Sequence, residues 1–262
     1  MKDLGTAGGV EIVAVPGIPD IRSGDDLAAI LIAALETAGL PLRDGDVLCL
    51  AHKIASKAEG CIRRLADITP SPKAEELART LAKDPRKVEV VLEESRTVLR
   101  AFRHPGQDQG VMICEHRLGF ISANAGVDES NAEEMGTVIT LPRDPDATCR
   151  TLRDGVRNRF GVKVGVVMTD TFGRPWRLGQ VNVAIGLAGL PATRREQGTS
   201  DAWGRPLLVT EPAFADEVAA ASGLVIRKSG RQPLVLLRGL DWRPAETQAR
   251  DLIRRAEEDM FR

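Results

Sequence analysis

The sequence predicts an α+β fold of enzyme size, and three observations predict it. Short apolar runs of strand length alternate with stretches of helical periodicity along the whole chain. Helix starts are marked at Ser71-Pro72, Asp144-Pro145 and Glu211-Pro212, where a polar or acidic residue precedes a first-turn proline. No Ser/Gly-rich linker, low-complexity tract or internal repeat divides the 262 residues, a length sufficient for one large or two small domains with a substantial core.

Val10 to Val15 is apolar and stops at Pro16-Gly17, which predicts the first strand. Beyond Ser23-Gly24, the residues Leu27, Ile30, Leu31, Ala34 and Leu35 recur at helical spacing. Asp46 to Ala51 is a second short strand, and His52 to Gly60 behind it reads as a polar turn. Ser71 and Pro72 open a helix running to about Asp84. Val88 to Leu92, Thr97 to Ala101, Val111 to Cys114 and Leu118 to Ser122 read as strands, as does Gly136 to Leu141. Asp144-Pro145 begins a helix to about Phe160, and Val164 to Met168 is a buried strand that stops at Thr169-Asp170-Thr171 before a loop with Gly173, Arg174, Trp176, Arg177 and Gly179. Pro191 to Leu207 is a charged, glycine-punctuated loop or lid. A helix from Glu211-Pro212 to about Ser222, the basic stretch Arg227 to Gln232, the apolar run Leu234 to Leu237 and a final helix from Pro244 to about Phe261 complete the chain.

Composition excludes several classes of function. Lys and Arg number 36 against 37 Asp and Glu, a formal charge of -1, so no global field points to nucleic acid or an anionic membrane. Aromatics make up 3% with no tyrosine, too few for a base-stacking platform. No apolar run reaches the roughly 18 residues of a membrane span, and MKDLGTAGGVEI lacks the regions of a signal peptide, so a cytoplasmic location is expected. Cys49, Cys61, Cys114 and Cys149 form no CxxC pair and are expected as buried free thiols.

Two stretches carry chemistry. In TDTFGRPWRLGQ, Asp170 at the mouth of a buried strand is poorly placed for packing and well placed, with a threonine hydroxyl, to offer hard oxygen ligands to a cation; two arginines stand nearby for phosphate. The same residues also suit an N-cap and polar turn. In ISANAGVDESN, Asp128, Glu129, Ser130 and Asn131 bring four oxygen-bearing side chains together, without the spacing of an EF-hand; alternatively, Asp128 caps a helix from Glu129 to Glu134. Lys53 and Lys57, four apart, could place two ammonium groups beside a phosphate or lie on a solvated turn. His52 could serve as a base or a ligand, though a lone histidine is more often structural. No GxxxxGK[ST], GxGxxG after the first strand, GxSxG or HExxH occurs, and three scattered histidines do not suit a multi-histidine zinc site. Oxygen donors with scattered lysine and arginine remain, the ligand set of magnesium or manganese bridged to phosphates.

In their order along the chain, GIPDIRSGDDL (17–27), AHKIASKAEG (51–60), ISANAGVDESN (121–131), TDTFGRPWRLGQVNVAIGLAGL (169–190) and LVLLRGL (234–240) resemble the coenzyme F420-0:L-glutamate ligases, also called gamma-glutamyl ligases. The resemblance covers nearly the whole chain. It implies a two-lobed α+β architecture over residues 1–262 as a single unit, without a P-loop and without the C-terminal flavin-reductase-like domain of some bacterial members. It implies a homodimer that uses GTP as co-substrate, two divalent ions (Mg2+ or Mn2+) and K+ to join L-glutamate to the carboxylate of F420-0, giving F420-1 and further gamma-linked glutamates. Nucleic acid and membrane are not implied partners.

By position, the resemblance puts Ile18, Pro19, Asp20, Ile21, His52, Lys57 and Asn131 on the nucleotide, together with Lys228, Ser229 and Gly230 of the basic stretch. Asp128 and Asp170 would hold the first metal and Thr171 the second, with Asp128, Asp170 and Lys57 as the catalytic set and an arginine of the 174–177 loop steadying phosphate. KSGRQPL departs from the family pattern and leaves the second metal's remaining ligand unassigned, and His52 stands where a small polar residue is common. The alternatives are a ligase of the same fold for another amino acid or acceptor, and a non-catalytic nucleotide-binding regulator.

Overall fold

The computed structural model describes residues 8–130, 134–226 and 230–259. In chain order its elements are β1 (Glu11–Ala14), α1 (Leu27–Thr37), β2 (Val47–Ala51), α2 (His52–Ala58), β3 (Ile62–Arg64), α3 (Pro72–Leu81), α4 (Pro85–Glu93), β4 (Ser95–Phe102), β5 (Val111–His116), β6 (Ile121–Ala123), β7 (Thr137–Ile139), α5 (Pro145–Phe160), β8 (Gly165–Arg174), β9 (Arg177–Ala188), α6 (Phe214–Ser222) and β10 (Leu234–Arg238). The expected mixed α/β class is observed.

The principal sheet has the strand order β1-β10-β2-β8-β9, antiparallel throughout except for the central pair β2 and β8. Consecutive residues of β2, β10 and the first half of β8 are buried, so both faces of the sheet are covered and the strands read as unbroken apolar runs. Helices α5 and α6 pack on these strands, and α1 packs on α5. Asp144 caps α5 by accepting from the Ala147 amide at 2.9 Å, and Gly161, at φ 71°, ends it in the left-handed conformation that glycine adopts at least cost. A second cluster of buried side chains, including Ala78, Leu81, Val88, Val91, Met112 and Cys114, joins α3 and α4 to the sheet of β4, β5 and β6.

Several segments differ from the sequence expectation. Helix α6 starts at Phe214 with Ala213 as its N-cap, so Pro212 precedes the helix instead of occupying its first turn. Val88 to Leu92 is not a strand but the body of α4: Asp84 accepts from the Arg86 amide at 2.9 Å, Pro85 occupies the first turn, and Val88 and Val91 meet the second cluster one helical turn apart. Local capping and tertiary packing thus override the β propensity of a valine-rich run. His52 to Ala58 is a helix rather than a turn, with His52, Ile54, Ala55 and Ser56 buried. The C-terminal segment forms 3-10 turns at Ala249–Leu252 and Ala256–Glu258 instead of a long helix. There Gln248 and Asp251 close a capping box on one short turn, and only Ala249 of the two turns is buried, so no apolar stripe supports a longer helix. All four cysteines are free and buried, and burial pushes the Cys49 thiol up to about 12. Among the described residues no helix is long and apolar enough to cross a membrane.

One polar cluster ties the second cluster to the segment leading into α5. His116 Nδ1 accepts from the Leu118 amide, which leaves Nε2 to donate to Glu94 at 3.1 Å. Arg117 donates to the same carboxylate and to the carbonyls of Leu141, Pro142 and Arg143. Burial alone would raise the Glu94 carboxyl, but the His116 and Arg117 hydrogen bonds and the guanidinium charge outweigh it and hold it below its ordinary range. A carboxyl depressed on folding contributes stability that is complete above its unfolded value, about 4.3 for Glu, and lost as pH falls through the lower folded value. Urea unfolding should therefore find Glu94→Gln less stable than wild type at neutral pH, with the gap closing on acidification below about pH 4; a gap independent of pH would refute this account.

Candidate active site

Parallel pairing of β2 with β8 aligns Ala51 with Thr169 where β2 ends and the paired part of β8 leaves it. The next residue of each chain segment then falls side by side, and His52 Nε2 stands 3.2 Å from Asp170 Oδ1. The crevice beyond the carboxyl ends of parallel strands is where ligands bind in open α/β sheets, and here it opens into a cavity of about 1030 Å3. His52 is buried; its Nδ1 lies 3.2 Å from the Ser56 hydroxyl, and its Nε2 makes no hydrogen bond despite the nearby carboxylate.

Strand β8 does not end at Thr169, as its apolar run suggested, but continues to Arg174 and returns as β9. One extra residue in β9, Ile185, opposes the step from Met168 to Thr169. Such bulges bend a strand and re-aim its side chains, here where β8 leaves the core for the cavity. Beyond it, Asp170 Oδ1 accepts from the Thr171 amide at 2.6 Å, and the Thr171 hydroxyl donates to Asn182 Oδ1 across the hairpin at 2.9 Å. Because that hydroxyl spends its proton on Asn182, its lone pairs are left for a cation.

Asp128 reaches the same cavity from the other side. Asn124, Ala125 and Gly126 form a 3-10 turn with φ of 51°, 49° and 69°, a left-handed course that is strained for alanine and turns the chain sharply before Val127. Asp128 then makes a two-bond β-bridge with Ile139 of β7, at 3.0 and 2.8 Å. Its side chain caps no helix in the described residues. Oδ1 accepts from the Ser130 amide at 2.8 Å, while Oδ2 accepts from Lys53 Nζ and from the Ser130 hydroxyl, each at 2.7 Å. Lys53 also donates to the Ser130 carbonyl at 3.0 Å and to its hydroxyl oxygen. Burial alone would raise the Asp128 carboxyl; the Lys53 ammonium and the Ser130 donors outweigh it and hold the group well below the usual carboxylate range.

Ile18, Pro19, Asp20, Ile21, His52, Lys57, Asp128, Asp170 and Thr171 all line this one cavity, though they come from four segments far apart in the chain. Gly230 does not line it, whereas Arg231 and Gln232 do, with Arg231 Nη1 3.7 Å from Asp20 Oδ2. Asn131, Lys228 and Ser229 lie outside the described residues. Arg174 and Arg177 stand on the exposed hairpin tip away from the cavity, because the strand carries Arg174 roughly 13 Å beyond Asp170 in extended conformation. Sequence reasoning missed Lys53 as the ion-pair partner of Asp128, and it missed Asn182 and Gln180 of β9. The helical spacing of Lys53 and Lys57 was the available signal for the first; nothing local signals a residue presented by a hairpin partner.

Asp128, Asp170 and Thr171 offer hard oxygens, but no group of three or more His, Cys, Asp or Glu in metal-binding arrangement occurs among the described residues. That suits an ion held by one or two carboxylates and completed by phosphate and water, the manner of magnesium, rather than an all-protein cage.

Sheet and cavity together define the class: a mixed α/β protein with a small-molecule cavity of paired acidic and basic groups and no P-loop. The chain belongs to the F420-0:gamma-glutamyl ligase family, whose model matches residues 17–239. It is 40% identical over 257 residues to the coenzyme F420:L-glutamate ligase of Methanothermobacter thermautotrophicus, covering 97% of this chain and 99% of the relative. The Methanopyrus kandleri enzyme of the same name is 43% identical over 263 residues, covering 97% and 100%, and that of Haloarcula marismortui 38% over 260 residues, covering 97% and 96%.

The Lys53–Asp128 pair is partly buried and charge-assisted, so a double-mutant cycle through Lys53→Met, Asp128→Asn and the double variant should give a coupling of about 1 kcal/mol in urea unfolding. Additive effects would show that the contact contributes nothing to the unliganded fold.

Proposed function

We propose that the chain is a GTP-dependent ligase that forms an amide bond between L-glutamate and the carboxylate of coenzyme F420-0. The product is F420-1, and repetition gives longer gamma-glutamyl tails, with GDP and phosphate released. The observation that carries this reading is the meeting of Asp128, Asp170, Thr171, Lys53 and Lys57 around one cavity in a chain that matches ligases of this name over 97% of its length. We take GTP to enter along Ile18 to Ile21, with Asn131, Lys228 and Ser229 as further contacts, and the protein to act in the cytoplasm as a homodimer.

A carboxylate must be activated before an amine can displace its oxygen. In the first step a carboxylate oxygen of F420-0 attacks the γ-phosphorus of GTP, the bond to the bridging oxygen breaks, and GDP leaves with the electron pair, giving an acyl phosphate. The glutamate amine then attacks the acyl carbon, the carbon–oxygen bond to phosphate breaks with its pair going to phosphate, and the nitrogen loses a proton. Lys57, and Lys53 beside it, would face the phosphates as charge-assisted donors. Magnesium or manganese held by Asp128, Asp170 and Thr171, with K+ as a further cation, would neutralise charge on the transferred group when bound. His52, buried with Nε2 3.2 Å from Asp170 Oδ1, also lines the cavity and is taken as a further nucleotide contact.

Asp128→Asn and Asp170→Asn should each lower product formation by about 100-fold or more while near-UV circular dichroism still reports a folded chain, because a transition-state charge contact is lost from the cavity. Mass spectrometry after incubation with GTP, manganese, F420-0 and each amino acid in turn checks both the rate and the amino acid chosen. Undiminished GTP turnover in both variants would contradict the site, and a mass increment other than that of glutamate would contradict the substrate.

A further inference from the structure

The donors already gathered on Asp128 leave little room for a metal ion. An ionised carboxylate offers about four lone-pair sites, and three on Asp128 are taken: one on Oδ1 by the Ser130 amide, two on Oδ2 by Lys53 Nζ and the Ser130 hydroxyl. Lys53 is well held there, because its ammonium also donates to the Ser130 carbonyl and hydroxyl oxygens and its side chain is 17% exposed. Asp170 is different. Its neighbours are the Thr171 amide and the buried, non-hydrogen-bonded His52 Nε2, and among the described residues no lysine or arginine ion-pairs with it. The two acidic ligands of one cavity are therefore unequal: Asp170 is open to a cation, and Asp128 already has one.

Resting on the metal reading given above, we infer that Lys53 is the resident counter-cation of Asp128 Oδ2, which a divalent ion must displace before it can coordinate that oxygen. An ammonium and a divalent cation compete for the same Oδ2, and only one of them can occupy it at bonding distance. A phosphate arriving in the cavity gives the displaced ammonium a new anionic partner on the same face of α2 as Lys57. Without phosphate the exchange strands Lys53 beside a dication. Metal loading at Asp128 is thus made weak in the empty protein and favourable with nucleotide. Lys53 is a positioning residue in this scheme, distinct from the ligands.

The test uses the full chain and Mn2+ alone. Electron paramagnetic resonance follows the loss of the free Mn2+ signal in wild type, Lys53→Met, Lys53→Gln, Asp128→Asn and the double variant Lys53→Met/Asp128→Asn, each checked for folding by near-UV circular dichroism. Removing the ammonium should tighten Mn2+ binding roughly tenfold or more, the equivalent of one charged hydrogen bond no longer to be broken, in both Lys53 variants; if Lys53→Met does not fold, Lys53→Gln decides. In wild type, acylation of Lys53 by an amine-reactive ester, read by peptide mass spectrometry, should quicken when Mn2+ is added. Unchanged or weaker Mn2+ binding in the Lys53 variants, with binding lost in Asp128→Asn, would overturn the placeholder and leave the metal reading standing. Equal Mn2+ binding in Lys53→Met and in the double variant Lys53→Met/Asp128→Asn would instead overturn the metal reading at this residue and the placeholder with it.

Discussion

The candidate site depends on one constraint, the parallel pairing of β2 with β8. In a parallel ladder both strands deliver their next residues to the same edge, so register Ala51 to Thr169 brings together the start of α2 and the acidic end of β8. A shift of one residue would turn Asp170 toward the opposite face of the sheet. That register is held by packing on both faces: Leu48, Leu50, Val166, Val167 and Met168 are fully buried. The apolar centre of the sheet thereby decides where His52 and Asp170 meet.

Asp128 is held by different means. It belongs to no strand of the principal sheet, and its place comes from a strained turn, a bridge to Ile139 and a lysine donated by α2. Two aspartates of the same residue type thus have unlike surroundings: one extends a rigid strand, the other is neutralised by a neighbouring cation. That asymmetry leaves the two carboxylates of one cavity with different electrostatic surroundings.

Much of the fold was legible. The helices after Ser71-Pro72 and Asp144-Pro145 begin where cap and proline place them, and β1, β2, β4, β5 and β10 lie within or close to their apolar runs. The errors share a cause. Val88 to Leu92 and the continuation of β8 past Thr169 were misread because their state is decided by a partner remote in sequence: the second cluster for α4, and β9 for the polar half of the hairpin. The C-terminal segment failed in the opposite sense, since a helix-compatible composition has no apolar face to bury there.

By itself the sequence determined which residue types were available and in what company. It supplied acidic bends at 128 and 170, lysines at helical spacing, buried thiols, and motifs whose order matches the family the chain belongs to. Only the tertiary structure decided that Lys53 rather than Lys57 closes on Asp128, that His52 comes within 3.2 Å of Asp170, and that Arg174 and Arg177 do not line the cavity. The physical reason is reach: capping and periodicity act within a few residues, whereas an ion pair between positions 53 and 128 exists only once two separately packed segments have been brought face to face.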